Sequence, residues 1–463
     1  MITKIFYSLV LFNANIKYNK KNNYWFYLDY IEENKFWELK IIFKKDNLYE
    51  EIFFKHIDFL NEKIDKNKLK TKNWIIYWNN KQLLEDVYST IIKSDMYDFN
   101  FYKDKTFYNK IPFWVVLTIT SKCNIFCYYC FNDIDYDLKY RNIRRNKWLD
   151  YWKKVVDKLY KAWTRVIILT WWEPMVAPFF WKLLDYLKEK NIFVHLNTNW
   201  TLLTDDNLEK LNNNYALNIM VSMHEFNDKD YYNVNRKWLE MTFWINKVPD
   251  RFKHMFTDKI KQLRKIKNYK NIFLEFLTIL VWKNVLNLEK IYEFWLNNSW
   301  IEFHNWQFFR LYATKNNKWA SKQLMELAIN KIYLLNKKYW VNYKIVDPVP
   351  FCVTKNIDRA SKVIDWVLSD AHNVKTIITT DGYVQLMSAY DNNFWNISDI
   401  SIEKIFNSNF VKKMLNNWFL PRECNNCKYK NDCKWGSRMD ANIINWSYDA
   451  WDPIGDINNK VVY

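Results

Sequence analysis

Three thiols fall within one short run, Cys123-Asn124-Ile125-Phe126-Cys127-Tyr128-Tyr129-Cys130. Three thiolates at C-x3-C-x2-C spacing suit a four-iron cluster with one iron left open. An open metal position is how a protein reserves a coordination site for a reactant. Positions i, i+4 and i+7 also share one helix face, so three packed structural cysteines are the alternative. A second group, Cys424, Cys427 and Cys433, is spaced C-x2-C-x5-C, and Cys352 stands alone upstream. Thiolates by themselves do not separate zinc from iron–sulfur, so a zinc knuckle and an iron–sulfur ligand set both fit this second group. Seven cysteines grouped in this way read as metal ligation in a reducing cytoplasm, not as a disulfide framework.

A chain of 463 residues, 49% hydrophobic and 26% charged, has room for two or three domains with full cores and is too apolar to be disordered. The net charge of +18 comes mostly from lysines spread over the whole length. No basic block tracks a phosphate backbone, so no specific nucleic-acid partner is expected. The longest apolar runs, 111–119 and 272–282, fall short of a membrane span, and no membrane partner is expected. Lys4 followed by 5–12 lacks a small-residue cleavage site and reads as a first strand, not as a signal peptide.

Average usage of about 7% would give roughly 32 glycines, yet there are three, and there are 26 tryptophans. Trp172 stands before Glu-Pro, Trp200 closes Asn197-Thr198-Asn199-Trp200, and Trp395 sits in Asn393-Phe394-Trp395-Asn396. These are turn settings that call for positive φ, where glycine fits and an indole does not. The inference is that many tryptophans here are glycines encoded by UGA and read with the standard table.

The elements that position the first cysteine loop follow from periodicity. Residues 1–110 alternate aromatic and polar positions and turn helical near 83–94, giving a small α+β appendage. Six short apolar strands then alternate with helical stretches, at 115–120, 166–170, 193–197, 217–222, 272–280 and 301–309. This predicts an α/β fold with six parallel strands and crossovers. Trp152, Val155, Val156 and Leu159 form the inward stripe of the first crossover helix. The long gap from Ser222 to Ile272 predicts an extra helical insertion, and a helix is expected over 402–415. His195 reads as a satisfied core residue in mid-strand.

The loop at Cys123, with the aromatic Tyr129 before its last cysteine, resembles the cluster loop of the radical S-adenosylmethionine (SAM) superfamily. With Trp171 and Trp172 as glycine, Trp171-Trp172-Glu173-Pro174 resembles that family's Gly-Gly-Glu-Pro motif, which lies along the methionine end of SAM. Asn197-Thr198-Asn199-Trp200 resembles its third-strand element, and Val221-Ser222-Met223-His224 its fourth-strand end. The resemblance implies that Ser222 reaches the ribose and Arg236 the carboxylate of SAM. All these elements fall at the C-terminal ends of successive strands, the face where barrel enzymes build their sites. The implied architecture is a partial (β/α)6 TIM-like barrel over 111–320. The implied chemistry is reductive cleavage of SAM at a [4Fe-4S] cluster, giving a 5′-deoxyadenosyl radical that abstracts substrate hydrogen, with a low-potential donor such as a flavodoxin or ferredoxin.

Residues 345–463, with Trp435 as glycine beside Gly436, resemble a SPASM or twitch-type auxiliary iron–sulfur domain. Met387, Ser437 and the lack of a cysteine near Asp452 depart from its seven-cysteine pattern, leaving one auxiliary cluster on Cys424, Cys427 and Cys433, with Asp452, Asp456 or Cys352 as fourth ligand, although by family position Cys352 belongs to the lost cluster. Met387-Ser388, where sulfatase-maturing members carry Cys-Asp, argues against that activity. Association of this tail with peptide-modifying enzymes makes a peptide or protein the expected substrate, with residues 1–110 as a leader-peptide platform or a cover. The rival readings are a radical SAM enzyme on a small molecule or nucleotide, and a noncatalytic iron–sulfur or zinc protein. No catalytic acid or base is singled out.

Overall fold

In the computed structural model of the protein, the described residues are five strands within 17–71 and the chain from 114 to 455. The segments 131–147, 233–253, 312–319, 365–375, 386–394 and 416–419, with shorter gaps of one to three residues, fall outside them. The N-terminal strands β1 (Lys17–Asn19), β2 (Tyr24–Ile31), β3 (Phe36–Lys45), β4 (Leu48–Phe54) and β5 (Leu69–Thr71) pair antiparallel in sequence order. The helix expected over 83–94 lies outside the described residues.

The second sheet is built from β6 (Trp114–Leu117), β7 (Val166–Leu169), β8 (Phe193–Thr198), β9 (Leu217–Ser222), β10 (Ile272–Leu280) and β11 (Asn305–Arg310). Each pairs parallel with the next, as the six-strand reading requires. The first five residues of β9 are buried without alternation, as in a sheet covered on both faces. Crossover helices supply the cover. α1 (Leu149–Lys161) buries Trp152, Val155, Val156 and Leu159, and α2 (Phe180–Glu189) buries Phe180, Leu183, Leu184 and Leu187. α3 (Asp205–Asn212) follows an N-cap on Thr204. The gap after β9 holds α4 (Met255–Ile266), while its 233–253 portion is outside the described residues. α5 (Leu288–Asn297) and α6 (Lys322–Tyr339) complete the shell.

The sheet continues beyond the six strands. β12 (Lys344–Ile345) pairs with β11, while β13 (Thr376–Ile378) lies parallel to β6 and leads into β14 (Tyr383–Gln385) and β15 (Trp395–Asn396). The ten strands run in one order from β12 to β15, and β6 does not pair with β11 or β12, so the barrel is partial. Three expectations need correction. Trp395, expected in a turn with positive φ, lies in β15 and has no left-handed φ. The sixth strand starts at Asn305, not at Ile301. The helix expected over 402–415 is two, Ile402–Phe406 and Asn409–Leu415, because Ser408 Oγ accepts from the Val411 amide at 3.3 Å and caps a new start.

Among the described residues, six non-glycine residues have left-handed φ, and all six are tryptophans: 171, 172, 200, 340, 435 and 446. A left-handed backbone brings Cβ against the carbonyl and costs roughly 1–2 kcal/mol for an L side chain. Trp340 and Trp446 follow α6 and α7 (Arg438–Asn445) at the left-handed cap where glycine is the usual residue, and their side chains are 95% and 90% exposed. Nothing holds those indoles in place of the glycine that the backbone calls for. Trp306, by contrast, has ordinary strand geometry, is fully buried, and donates its indole N–H to Thr278 Oγ1 at 2.9 Å, as a packed tryptophan does.

Candidate active site

The cysteine loop leaves the sheet after β6 and is tied to the end of β7. The Lys122 amide donates to Thr120 Oγ1 at 3.1 Å, and the Glu173 amide donates to the Lys122 carbonyl at 3.2 Å. Cys123, Cys127 and Cys130 are all half-buried, and none is in a disulfide. Cys127 packs on Val281 just past β10, beside Ile279 and Leu311, so the loop reaches across the mouth of the sheet. The Cys130 amide donates to the Cys127 carbonyl at 3.0 Å.

At the end of β7 the chain passes through Trp171 and Trp172 at φ 61° and 56° and enters a short turn, Pro174–Val176, capped by Glu173. Glu173 is fully buried. Its Oε2 accepts from Thr198 Oγ1 at 2.9 Å and from the Asn199 amide at 2.8 Å, and its Oε1 accepts from the Met175 amide at 3.2 Å. Burial pushes its carboxyl up to about 7, against these three donors. Asn199, at the end of β8, joins the pieces: its Nδ2 donates to Asn124 Oδ1 at 2.8 Å and reaches Cys123 Sγ at 3.6 Å. Asn124 in turn donates to Thr201 Oγ1 at 2.7 Å. Three sequence elements far apart in the chain therefore meet at Cys123, Glu173 and Asn199.

Ser222 ends β9 half-buried, and its carbonyl accepts from Lys259 Nζ. His224 accepts from the Ile279 amide at 3.1 Å, and burial holds its ring well below the usual histidine range, so it serves as a neutral brace between β9 and β10. His195 is buried beside Asn218 Nδ2 at 3.3 Å. Tyr129 and Arg236 lie outside the described residues.

Lys259 escaped the sequence reading. It is 1% exposed on α4, with its ammonium 5.4 Å from the Tyr231 ring and 5.8 Å from that of Trp200. Burial pulls it down to about 8, while Glu225 and Cys127 pull the other way. A signal was present, since Phe256, Lys259, Ile260, Leu263 and Ile266 share one helix face and a lysine in an apolar stripe is out of place.

The C-terminal cysteines gather separately. Cys352, Cys424, Cys427 and Cys433 line one partly open cavity. The Phe351 amide donates to Cys433 Sγ at 3.2 Å. Burial pushes the thiols of Cys123 and Cys433 up to about 11 and that of Cys424 up to about 12, so in both groups the thiolate form needs a cation to stabilise it. Among the described residues no three His, Cys, Asp or Glu side chains are gathered as a site for a metal ion. The fit to a bound group rests on donor chemistry: three soft thiols in one loop, with a left-handed backbone at 171–172 that favours glycine.

Residues 117–280 match the model of the Radical SAM superfamily. That segment of the chain is similar to the radical SAM superfamily. Its match to PqqA peptide cyclase of Bradyrhizobium diazoefficiens is 25% identical over 144 residues, 30% of this chain. The chain thus spans 37% of the length of that curated relative. Among solved structures, Streptococcus suis SuiB aligns at a TM-score of 0.55 and 13% identity, over 88% of this chain and 96% of SuiB. Native anSMEcpe with bound AdoMet and Cp18Cys peptide aligns at 0.52 and 17%, over 74% of this chain and 94% of that one. These structures share the fold of this chain. The family match ends before Cys352, so it does not reach the C-terminal cysteines. Among the described residues no helix is long and apolar enough to cross a membrane.

Proposed function

We propose that this chain is an enzyme that carries a [4Fe-4S] cluster on Cys123, Cys127 and Cys130, binds SAM at the open iron, and takes hydrogen from a peptide or protein substrate. The observation that carries the reading is Asn199, which links the Cys123 sulfur to Glu173 through one side chain and one amide. When bound, the reduced cluster would supply one electron to SAM, breaking its sulfonium bond to give methionine and a 5′-deoxyadenosyl radical.

The rest is positioning by this chain. Residues 171 and 172, as glycines, bring bare backbone to the methionine end of SAM, and Pro174 fixes the turn that aims it. Glu173 anchors that turn to β8. By the family resemblance Ser222 would serve the ribose, Arg236 the carboxylate, and Tyr129 the cofactor beside the cluster. Lys259 sets a buried positive charge near Cys127, which favours an anionic cluster.

Peptide chemistry is supported by the relatives: a peptide cyclase, and SuiB bound to its precursor peptide SuiA. Residues 345–463 form the auxiliary unit in this reading, with one further cluster at Cys424, Cys427 and Cys433. Residues 1–110 form the appendage, residues 111–320 the barrel, and a flavodoxin or ferredoxin in a reducing cytoplasm supplies the electron.

The test uses the full chain with glycine at the six left-handed positions, reconstituted anaerobically with iron and sulfide. Under dithionite and SAM it releases 5′-deoxyadenosine and methionine in equal amounts, and a cognate peptide raises the rate. A fully loaded cluster with no SAM cleavage overturns the enzyme reading.

A further inference from the structure

The auxiliary-cluster reading leaves open which group completes the C-terminal ligand set. Resting on that reading, we infer that Cys352 is the fourth ligand and that Asp452 is not. Cys352 sits in the short turn Phe351–Val353, far upstream of the other three cysteines, and is buried. The fold returns that turn to them. Its Phe351 amide donates to Cys433 Sγ at 3.2 Å, and the side chains of Cys352, Cys424, Cys427 and Cys433 line the same cavity. An amide aimed at a sulfur stabilises its thiolate and fixes its orientation, as the groups around a metal ligand do.

Asp452 also borders the cavity, but its oxygens are already committed. Oδ2 accepts from Arg310 Nη1 at 2.9 Å and from the Ser437 amide at 2.6 Å. Oδ1 accepts from the Ile454 amide at 3.0 Å and from Arg310 Nη2 at 3.4 Å. A carboxylate offers about four lone-pair positions, and here four donors meet them. Arg310 also pairs with Asp440, and all three side chains are buried, so turning Asp452 toward iron would leave a buried guanidinium short of a partner. Asp452 is further pinned against Gly436, where an added Cβ would lie 2.3 Å from Oδ2. Four thiolates then hold the site, and the buried guanidinium of Arg438, whose charge acts on Cys424 and Cys433, offsets part of their negative charge. A site with four protein ligands is closed. It would pass electrons without binding a reactant, unlike the three-thiol loop.

The experiment removes the first cluster with Cys123→Ala, Cys127→Ala and Cys130→Ala together in the glycine-restored chain, so that iron reports on the C-terminal site alone. This background is expected to retain about four irons per chain and one reduced-state EPR signal. Adding Cys352→Ala lowers retained iron at least fourfold, to the level given by Cys424→Ala. Cys352→Ser shifts the EPR signal, a change that a merely structural cysteine would not cause. Asp452→Asn leaves iron content and the signal in place. Unaltered iron and EPR in both Cys352 variants overturn the assignment while leaving the auxiliary cluster standing, and an altered signal in Asp452→Asn overturns it in favour of the carboxylate. A background that retains no iron overturns both the assignment and the auxiliary-cluster reading.

Discussion

At the mouth of the barrel, three cysteines come from one loop, all half-buried, with an amide side chain from the next strand but one resting on the first of them. In the C-terminal segment, four cysteines come from two stretches of chain that the fold returns to each other. Beneath them lies a buried Arg310–Asp440–Asp452 network. In the proposed reading the first group leaves a coordination position open, while the second supplies its own full set beside buried charges. The two groups sit at different places on one continuous sheet, the loop after β6 and the segment beyond β12.

The comparison breaks most clearly at the loop. Replacing Cys123, Cys127 and Cys130 by alanine should reduce SAM cleavage by more than a thousandfold, to background, with thermal unfolding little changed. Product analysis by mass spectrometry beside calorimetry checks both halves. Next in size, Arg310→Met leaves two buried carboxylates without their cation and should destabilise the C-terminal segment by about 3–5 kcal/mol, read from the denaturant midpoint. The loop cluster should survive that change.

Glu173 tests the barrel side. Glu173→Gln sets an amide against three donors and should lower stability by about 1–3 kcal/mol at neutral pH. The wild-type advantage depends on pH with a defined sign. Because the folded carboxyl is raised to about 7 from 4.5, the folded state holds the extra proton between those values. Its stabilising contribution is full below about 4.5 and is lost as pH rises through 7, so the gap between wild type and Glu173→Gln should narrow over that range. The smallest change is at the helix caps, where Trp340→Gly and Trp446→Gly should each add about 1 kcal/mol to the chain carrying tryptophan there. A loss of stability at either cap would contradict the glycine reading.

Much of this was legible before any coordinates. Cys123, Cys127 and Cys130 lie close enough in sequence that spacing alone brings them together. The stripe of Trp152, Val155, Val156 and Leu159 predicted the buried face of α1 because helical periodicity is local. Lys259 was missed because its oddity shows only when the apolar face of α4 is set against the strand ends. The break at Ser408 was missed because a serine in a helical stretch reads either as interior or as cap until its Oγ finds an amide.

The sequence by itself determined the order of parallel strands, the three-thiol loop and the deficit of glycine, since each depends on residue type and short spacing. Tertiary structure alone decided that Asn199 meets both Cys123 and Glu173, that Asp452 is held by Arg310, and that Trp340 and Trp446 join the left-handed positions. Contacts between distant segments depend on how buried polar groups find their partners once the chain has closed, and no local pattern of residues carries that information.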